Sequence, residues 1–270
     1  MALNQLSPGV NVKEIDITNF VPQVGTSGGA FVGKFAWGPV EDYTLVSNSN
    51  RLESLFGKPD DSNFADWYAV SSFLAYTDNC TVVRVTHNNA GTETAFNAVA
   101  AAANTGTITV KNDASFAATY GSNTYDGMNF IGRYPGKIAN SLKVIMADGA
   151  TWSQLTAAHK KLFEFAPGTS ESAAAIGAEN DEVHVIVIDD KGLFTGVPGT
   201  ILEKYAFLSK ASDAKGLDNA PIFFGNVINQ KSQYIRYTGS DFAESVLDVG
   251  SFHVASASVS GGTKYITGQA

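Results

Sequence analysis

Residues 183–188, with the sequence VHVIVI, form a β-branched run that is apolar on both faces of a strand. A strand at the surface of a sheet alternates apolar and polar residues, whereas a strand buried on both faces does not. The run therefore predicts a central strand in a covered sheet, and residues 189–192 supply the turn that follows. A second β-branched run, at residues 81–85, predicts another internal strand.

Helical spacing of apolar residues marks several segments outside these strands. Asn50 begins a capping-box pattern before a short helix that ends at Gly57, and Ser62 precedes a longer helix. We expect one stripe of the longer helix to face the core: Phe64, Trp67, Tyr68, Ser71, Leu74 and Ala75. Residues 202–212 also have helical spacing, and residues 218–237 favour strands and turns. The predicted fold class is α+β, multidomain, with mixed sheets flanked by helices, an extended N-terminal arm and a small β-rich inserted module.

We expect five parts in the chain, of which composition marks the stretch of small residues after residue 90, while the assignment of core, projecting and middle domains is implied by the resemblance described below. Residues 1–20 read as an extended arm, and residues 21–90 as the N-terminal part of a core domain. Residues 91–133 are rich in small residues and predict an inserted, projecting module, in which a run of alanines favours a short helix or surface packing. Residues 134–255 predict a middle α/β domain, and residues 256–270 a return toward the core domain.

The arm contains a strand-like stretch whose alternation changes phase. Val10 and Val12 share one face of the strand, whereas Ile15 and Ile17 share the other. A terminal strand of this kind can complete its own sheet or pair with the sheet edge of a neighbouring chain. The pattern leaves both interpretations open.

Charge and cysteine content limit the partners. The chain has 26 acidic and 18 basic residues and a net charge of −8, with no Lys or Arg cluster of the kind that neutralises phosphates, so we expect no nucleic-acid partner. The single cysteine, Cys80, cannot form an internal disulfide, and no Cys/His grouping has metal-ligand spacing. No metal or cofactor is predicted. No apolar run reaches the ~18 residues of a membrane span, and residues 1–20 lack the pattern of an export signal.

One segment has the spacing of a phosphate-binding loop. Residues 28–34 match G-x-x-x-x-G-K, but Phe35 stands where magnesium binding requires a hydroxyl. Residues 30–32 read as a buried strand rather than as an open cradle of N–H groups. Nucleotide binding is therefore not predicted.

The remaining polar residues fit structural roles. The four histidines, at positions 87, 159, 184 and 253, lie in no catalytic frame, and His184 is predicted to be a satisfied core residue. Asp60-Asp61 and Asp189-Asp190 suit turns, because Asp side chains accept hydrogen bonds from nearby main-chain N–H groups. No catalytic residue is predicted.

Ten short motifs, in order along the chain, resemble the tail sheath proteins of contractile phages and related injection machines. They are SPGVNVKE at 7–14, GKFAWGP at 33–39, LFGKP at 55–59, FLAY at 73–76, VVRV at 82–85, YPGK at 134–137, NSLKV at 140–144, DDKG at 189–192, GVPGTILEKY at 196–205 and SKASDAK at 209–215. Each motif alone is weakly specific. Their joint order over most of the chain is specific.

The resemblance implies a structural protein and not an enzyme. It implies a sheath subunit that polymerises helically around the tail tube and contracts to drive the tube through the host envelope. The implied partners are sheath neighbours, the tail tube protein, and the baseplate and tail terminator proteins. The implied location is the phage tail in the virion, after assembly in the host cytoplasm. Family members continue past the point that matches residues 260–262, so the resemblance also implies that the part completing the core domain is missing here.

The resemblance assigns the arm a role in linking subunits, by addition of a strand to a neighbour's sheet. The linking residues would be Val10, Asn11, Val12, Lys13, Glu14, Ile15, Asp16 and Ile17. Two alternatives stay open on the sequence. One is a soluble α/β enzyme or ligand-binding domain with a pocket near Asp189 or His184. The other is an adhesin-like module that binds carbohydrate through exposed aromatics such as Trp152.

Overall fold

The computed structural model describes residues 28–86, 98–99, 107–108, 110–120, 130–237 and 263–265. Helices and strands are mixed along the chain, and the fold class is α+β, as predicted. The four sheets have three, two, four and two strands, and all but one of the strand pairs are antiparallel. No helix in the described ranges has the length and apolarity needed to cross a membrane.

Residues 28–86, the first unit, form a three-stranded sheet with two helices on one face. The elements are β1 (Gly29–Gly33), β2 (Thr44–Val46), α1 (Ser49–Phe56), α2 (Phe64–Leu74) and β3 (Cys80–Arg84). β3 lies in the middle, parallel to β1 and antiparallel to β2, which confirms the internal strand predicted there. The core between sheet and helices contains Leu52, Phe56, Trp67, Val70 and Val82.

The helices of the first unit differ from the prediction in the N-cap of α1 and in the buried face of α2, whereas Gly57 caps the C-terminus of α1 as predicted. Asn48, not Asn50, caps α1, and its side chain accepts a hydrogen bond from the N–H of Arg51. On α2 the buried residues are Trp67, Val70 and Leu74. Phe64, Tyr68 and Ala75 of the predicted stripe are exposed. The predicted stripe was right for Trp67 and Leu74 and wrong for its exposed members, because α2 is apolar nearly all round and spacing alone does not distinguish its faces.

Residues 98–120 contribute two short strands and a helix: β4 (Ala98–Val99), β5 (Thr107–Ile108) and α3 (Asp113–Tyr120). Ala98, the first alanine of the run, lies in a strand that pairs with β5, so no helix begins there. The stretch contacts the first unit. The N–H of Val40 donates to the carbonyl of Lys111, whose ammonium lies 2.7 Å from the Glu41 carboxylate.

Residues 130–237, the second unit, contain most of the remaining elements. These are β6 (Phe130–Gly132), β7 (Leu142–Asp148), α4 (Ala157–Lys160), α5 (Glu171–Ala175), β8 (Glu182–Asp189), β9 (Thr200–Ser209), α6 (Phe224–Lys231) and β10 (Ile235–Tyr237). The last described strand, β11 (Thr263–Tyr265), completes a four-stranded sheet of order β11-β7-β8-β9. β6 pairs with β10.

β8 is the central strand that the sequence predicts. Its odd-numbered valines, at 183, 185 and 187, face one hydrophobic core, whereas Ile186 and Ile188 face a second core on the other side of the sheet. A strand with two cores has no polar face, which explains the unbroken apolar run.

For the second unit, one prediction was wrong, and another was right for the strand β10 but not for the apolar stretch before it. Residues 202–212 were predicted from helical spacing, but β9 is a ten-residue strand paired with β8. Two register shifts in this pairing place Leu202, Tyr205 and Leu208 on the same core, three residues apart, which imitates a helical period. Within residues 218–237, the apolar stretch forms α6 rather than a strand.

Candidate functional site

Arg84 lies where the first unit meets the second. It is the last residue of β3, and only 2% of its surface is exposed. Its guanidinium donates to the carbonyl oxygens of Phe35 at 2.8 Å, Gly38 at 2.8 Å, Pro135 at 2.7 Å and Ala36 at 3.4 Å. In the described part of the chain no carboxylate pairs with it. Burial lowers the pKa of Arg84 to about 9, so the side chain is charged at neutral pH.

Two glycines allow the segments around Arg84 to approach each other. Gly136 has φ of 157°, and a Cβ there would lie 2.7 Å from the carbonyl oxygen of Ala36 and 3.3 Å from Nη2 of Arg84. Gly38 has φ of 100°, and a Cβ there would lie 2.6 Å from the carbonyl oxygen of Leu55. Any larger residue would force these segments apart.

Aromatic side chains also pack where the two units meet. Trp37 is buried, and its ring meets those of Tyr134 at 5.6 Å and Phe194 at 5.1 Å, edge to face in both cases. The main-chain N–H of Trp37 donates to the carbonyl of Phe56 at 3.1 Å. We call this contact region of Arg84, Trp37 and their partners the joint. Residues from four of the sheath-like motifs meet in it: 33–39, 55–59, 82–85 and 134–137.

Asp189 organises the loop 189–199, which contributes Phe194 to the joint. Its buried carboxylate accepts hydrogen bonds from the N–H of Phe194 at 3.0 Å, from the N–H and hydroxyl of Thr195 at 2.8 Å each, and from the hydroxyl of Ser141. Burial acts to raise the pKa of Asp189, but the hydrogen bonds from Ser141, Thr195 and Phe194 outweigh it and leave the pKa below its ordinary value. The carboxylate therefore stays ionised and fixes the loop.

His184 is a satisfied core residue, as predicted. Its Nδ1 accepts from the N–H of Phe207 at 3.0 Å, so Nε2 carries the proton and donates to the carbonyl of Phe165 at 3.0 Å. The ring stacks on Phe163 at 4.1 Å between centroids. Burial lowers the pKa of His184, which keeps the imidazole neutral. Trp152, the candidate sugar-binding aromatic, is half-buried and packs its edge against the same ring at 5.6 Å.

The segment with phosphate-loop spacing is strand β1 and is closed to a ligand on its inner side. A Cβ on Gly29 would meet the ring of Phe73, and one on Gly33 would meet Asp66. The N–H of Lys34 is bonded to the Asp66 carboxylate at 2.7 Å.

Asp60 fits the predicted turn, since its carboxylate accepts hydrogen bonds from the N–H and hydroxyl of Ser62.

Two open clefts of the described chain have charged side chains in their walls. In one, of about 420 Å³, these are Glu171, Glu182 and Lys215, and the Glu182 carboxylate accepts a hydrogen bond from the N–H of Gly168 at 2.8 Å. The other, of about 330 Å³, lies beside the joint between α1 and the loop 189–199. Its two charged side chains, Glu53 and Lys58, lie 3.9 Å apart and form an ion pair. In the ranges that the structure covers, no three His, Cys, Asp or Glu side chains come together as a metal site requires.

β1 is an edge strand with an unpaired outer side among the described residues. The N–H of Gly29 bonds to Asn79, and the carbonyl of Gly33 accepts from Val85, so alternate main-chain groups face β3. By the alternation of a strand, the N–H and C=O groups of Ala30 and Val32 face away from the sheet.

The face of the first sheet opposite α1 and α2 is apolar and exposed. Val32 is 69% exposed and Leu45 is 62% exposed, and the register places Val83 directly beside Val32. In the described part of the chain, β1 thus has an apolar side chain on each face of the sheet: Val32 on the exposed face, and Phe31, which packs against Phe73 of α2, on the inner one.

The eight residues predicted to link subunits, 10–17, lie outside the described residues. Sequence reasoning did not single out Arg84, although it lies in the VVRV motif. A lone arginine in a β-branched run was the available signal, because such a charge must find partners when its strand is buried.

Comparison with known proteins gives one consistent name. No protein-family model matches the chain. A tail sheath protein of Salmonella phage ViI is 30% identical over 200 residues, which is 73% of this chain and 28% of that protein. Tail sheath proteins of Vibrio phage KVP40 and Enterobacteria phage T4 are each 36% identical over 80 residues and are covered to 12% of their length. The chain thus spans less than a third of these relatives.

Among solved structures, the sheath tail protein of Listeria innocua matches over 92% of this chain and 36% of its own length. The TM-score is 0.41 and the sequence identity is 9%.

Proposed function

We propose that this chain, a sequence relative of phage tail sheath proteins, is a structural part of a contractile tail sheath. In this role it polymerises helically around the tail tube and contracts to drive the tube through the host envelope. The observation that carries the proposal is the 30% identity over 200 residues to the sheath protein of Salmonella phage ViI. Because the chain spans only 28% of that relative, the activity of the whole relative is transferred here as a proposal.

We infer a role without catalysis. The polar groups that an enzyme would use are already engaged in structure: His184 by two main-chain groups, and Asp189 by Ser141 and its own loop. The alternative of an enzyme or ligand-binding domain would have to use the cleft lined by Glu171, Glu182 and Lys215, whose walls include neither His184 nor Asp189. These buried residues instead maintain the shape of the joint and of the loop 189–199.

The linking step in this proposal is strand addition by residues 10–17 of one copy to the sheet of another. The edge of β1 that no described strand covers suits such a strand, since the main-chain groups of Ala30 and Val32 face it. Both faces of the sheet beside β1 are apolar, and the arm has Val10 and Val12 on one face and Ile15 and Ile17 on the other. An incoming strand with apolar side chains on both faces therefore fits this edge.

The proposed partners are neighbouring sheath copies, the tail tube protein, and the baseplate and tail terminator proteins. The proposed location is the tail of the virion, with assembly in the host cytoplasm. No cofactor and no direct membrane insertion are proposed, and no nucleic-acid partner, in keeping with the net charge of −8 and the absence of a basic cluster in the sequence.

Electron microscopy with sedimentation tests the polymerising role. The chain is studied at high concentration by itself and within the full-length product of its gene. Tubes, rings or ribbons in either sample are the expected result. Strict monomers in both samples would overturn the sheath assignment.

A further inference from the structure

We propose that Arg84 is the clamp that joins the first unit, residues 28–86, and the second unit, residues 130–237, into one cooperative body. The proposal concerns the mechanics of the fold and holds whether or not the chain works in a sheath. It predicts that neither unit opens without the other while the guanidinium is in place, and that the two units open separately once it is removed.

The clamp has acceptors on both sides of the joint. Three of its carbonyl partners, on Phe35, Ala36 and Gly38, belong to the first unit, and the fourth, on Pro135, belongs to the second. The planar guanidinium donates in several directions at once, so a single side chain fixes the distance between the two turns. Gly136 lets the second turn come close enough to complete this set.

Burial makes the clamp cooperative. A charged group inside a protein is tolerated only when its hydrogen bonds are complete, and in the described part of the chain Arg84 has carbonyls instead of a carboxylate. Opening the joint would remove the Pro135 acceptor and expose Trp37 together with it. Opening the joint therefore exposes buried groups of both units in one step, so the free energy of opening depends on both units together.

The other contacts across the joint are weaker on physical grounds. The ammonium of Lys58 donates to the carbonyl of Thr195 at 3.2 Å, but this pair is exposed and water competes for it. The contacts of Trp37 with Tyr134 and Phe194 are apolar and tolerate sliding. Among these contacts of the described residues, Arg84 makes the directional bonds to both sides that are shielded from solvent.

Arg133 provides a matched control. Its guanidinium also donates to main-chain carbonyls, those of Asn229 and Ser232, but both belong to the second unit. Its carboxylate partner, Asp113, lies on α3 and outside the first unit. Arg133 also contacts Tyr134, through a 3.4 Å hydrogen bond to its hydroxyl and through its ring, but among the described residues it makes no bond to the first unit. Replacement of Arg133 therefore removes guanidinium–carbonyl bonds within the second unit and leaves the bonds of Arg84 across the joint in place.

Hydrogen–deuterium exchange at increasing urea concentrations, read by mass spectrometry on peptides of β3 and β8, tests the clamp. The full chain is used as wild type, Arg84→Met, Arg84→Lys and Arg133→Met. In the wild type the two strands should lose protection at one urea midpoint. Arg133→Met should lower that midpoint for both strands together, because the joint is intact.

Arg84→Met should separate the two midpoints, with exchange in β3 rising about tenfold or more relative to β8, as expected for loss of hydrogen bonds to a charged group. Arg84→Lys, which keeps the charge but donates from one atom, should give a smaller separation, and it serves as the test if the Met variant does not fold. A common midpoint in the folded Arg84 variants would overturn the proposal. Different midpoints in the wild type would overturn it as well.

Discussion

Nη2 of Arg84 lies 2.7 Å from the carbonyl oxygen of Pro135, which is 51 residues further along the chain. Two motifs that are remote in sequence, VVRV and YPGK, are thereby in direct contact. The contact explains why a charged residue occupies the end of a buried strand, and why a Pro-Gly turn stands opposite it. The same contact predicts measurable effects of substitutions at the joint.

Replacement of Gly136 by alanine should destabilise the protein by about 1–3 kcal/mol, because the added Cβ would lie 2.7 Å from the carbonyl oxygen of Ala36. Urea unfolding followed by circular dichroism measures the loss. Gly177→Ala is the matched control, since Gly177 also has positive φ, 77°, but nothing lies within 4 Å of its Cβ position. Equal losses for the two variants would contradict the crowding at the joint.

Replacement of Asp189 by asparagine should lower the stability at pH 7 by about 1–3 kcal/mol, because several donors lose a charged acceptor. The folded-state pKa of Asp189 is below its unfolded value, so its contribution is present above the unfolded pKa, about 3.9, and is lost as the pH falls through the folded pKa. The difference between variant and wild type should therefore shrink below pH 4. Unfolding free energies measured from pH 7 to pH 3 check this.

Asp190→Asn is the control for Asp189, since Asp190 pairs with Lys143 at 3.4 Å near the surface. Its loss should cost at most about 1 kcal/mol. A cost at Asp190 as large as that at Asp189 would contradict the assignment of the loop anchor.

Replacement of Val32 by proline should prevent linkage of subunits while leaving the monomer folded. The N–H of Val32 faces the open edge of β1, so proline removes a donor that the sheet itself does not use. Electron microscopy should find short or absent polymers for Val32→Pro and normal ones for Val32→Thr. Deletion of residues 1–20 should have the same effect as the proline. Full-length, contractile polymers from the proline variant would show that β1 takes no part in the linking step. The same polymers from the deletion would show that the arm takes no part in it.

Replacement of Asp113 by asparagine should loosen α3 without unfolding the second unit. The Asp113 carboxylate joins α3 to Arg133, at 3.1 Å, and to the buried guanidinium of Arg236, which also covers the ring of Phe116. Amide exchange in residues 113–118 should accelerate, whereas exchange in β7 and β8 should stay close to that of the wild type. Unchanged protection in α3 would show that Phe116 and its surroundings hold the helix without the carboxylate.

The sequence allowed prediction of those elements whose side-chain pattern matches their surroundings directly. β8 is the clearest case, because two covered faces favour apolar residues along the strand, and His184 is accommodated there with both ring nitrogens hydrogen-bonded. β9 was mistaken for a helix because its two bulges change the spacing of its apolar residues from two to three. That change depends on pairing with β8, which local sequence does not encode.

The joint was less predictable than the strands. The turn at Asp189 was expected from its residue type, but its bonds to Ser141 depend on a partner 48 residues away. The carbonyls around Arg84 belong to the main chain, and any residue type supplies a carbonyl. The side-chain pattern therefore could not predict which carbonyls surround Arg84.

β8 has eight residues and its partner β9 has ten, and the two surplus residues lie in the bulges. Insertion of one residue into β8 would turn each valine toward the core that now holds isoleucines, and would move His184 into the opposite core. β9 already accommodates extra residues without such an exchange. Among relatives of this chain, changes in strand length should therefore accumulate in β9, while β8 keeps a constant length.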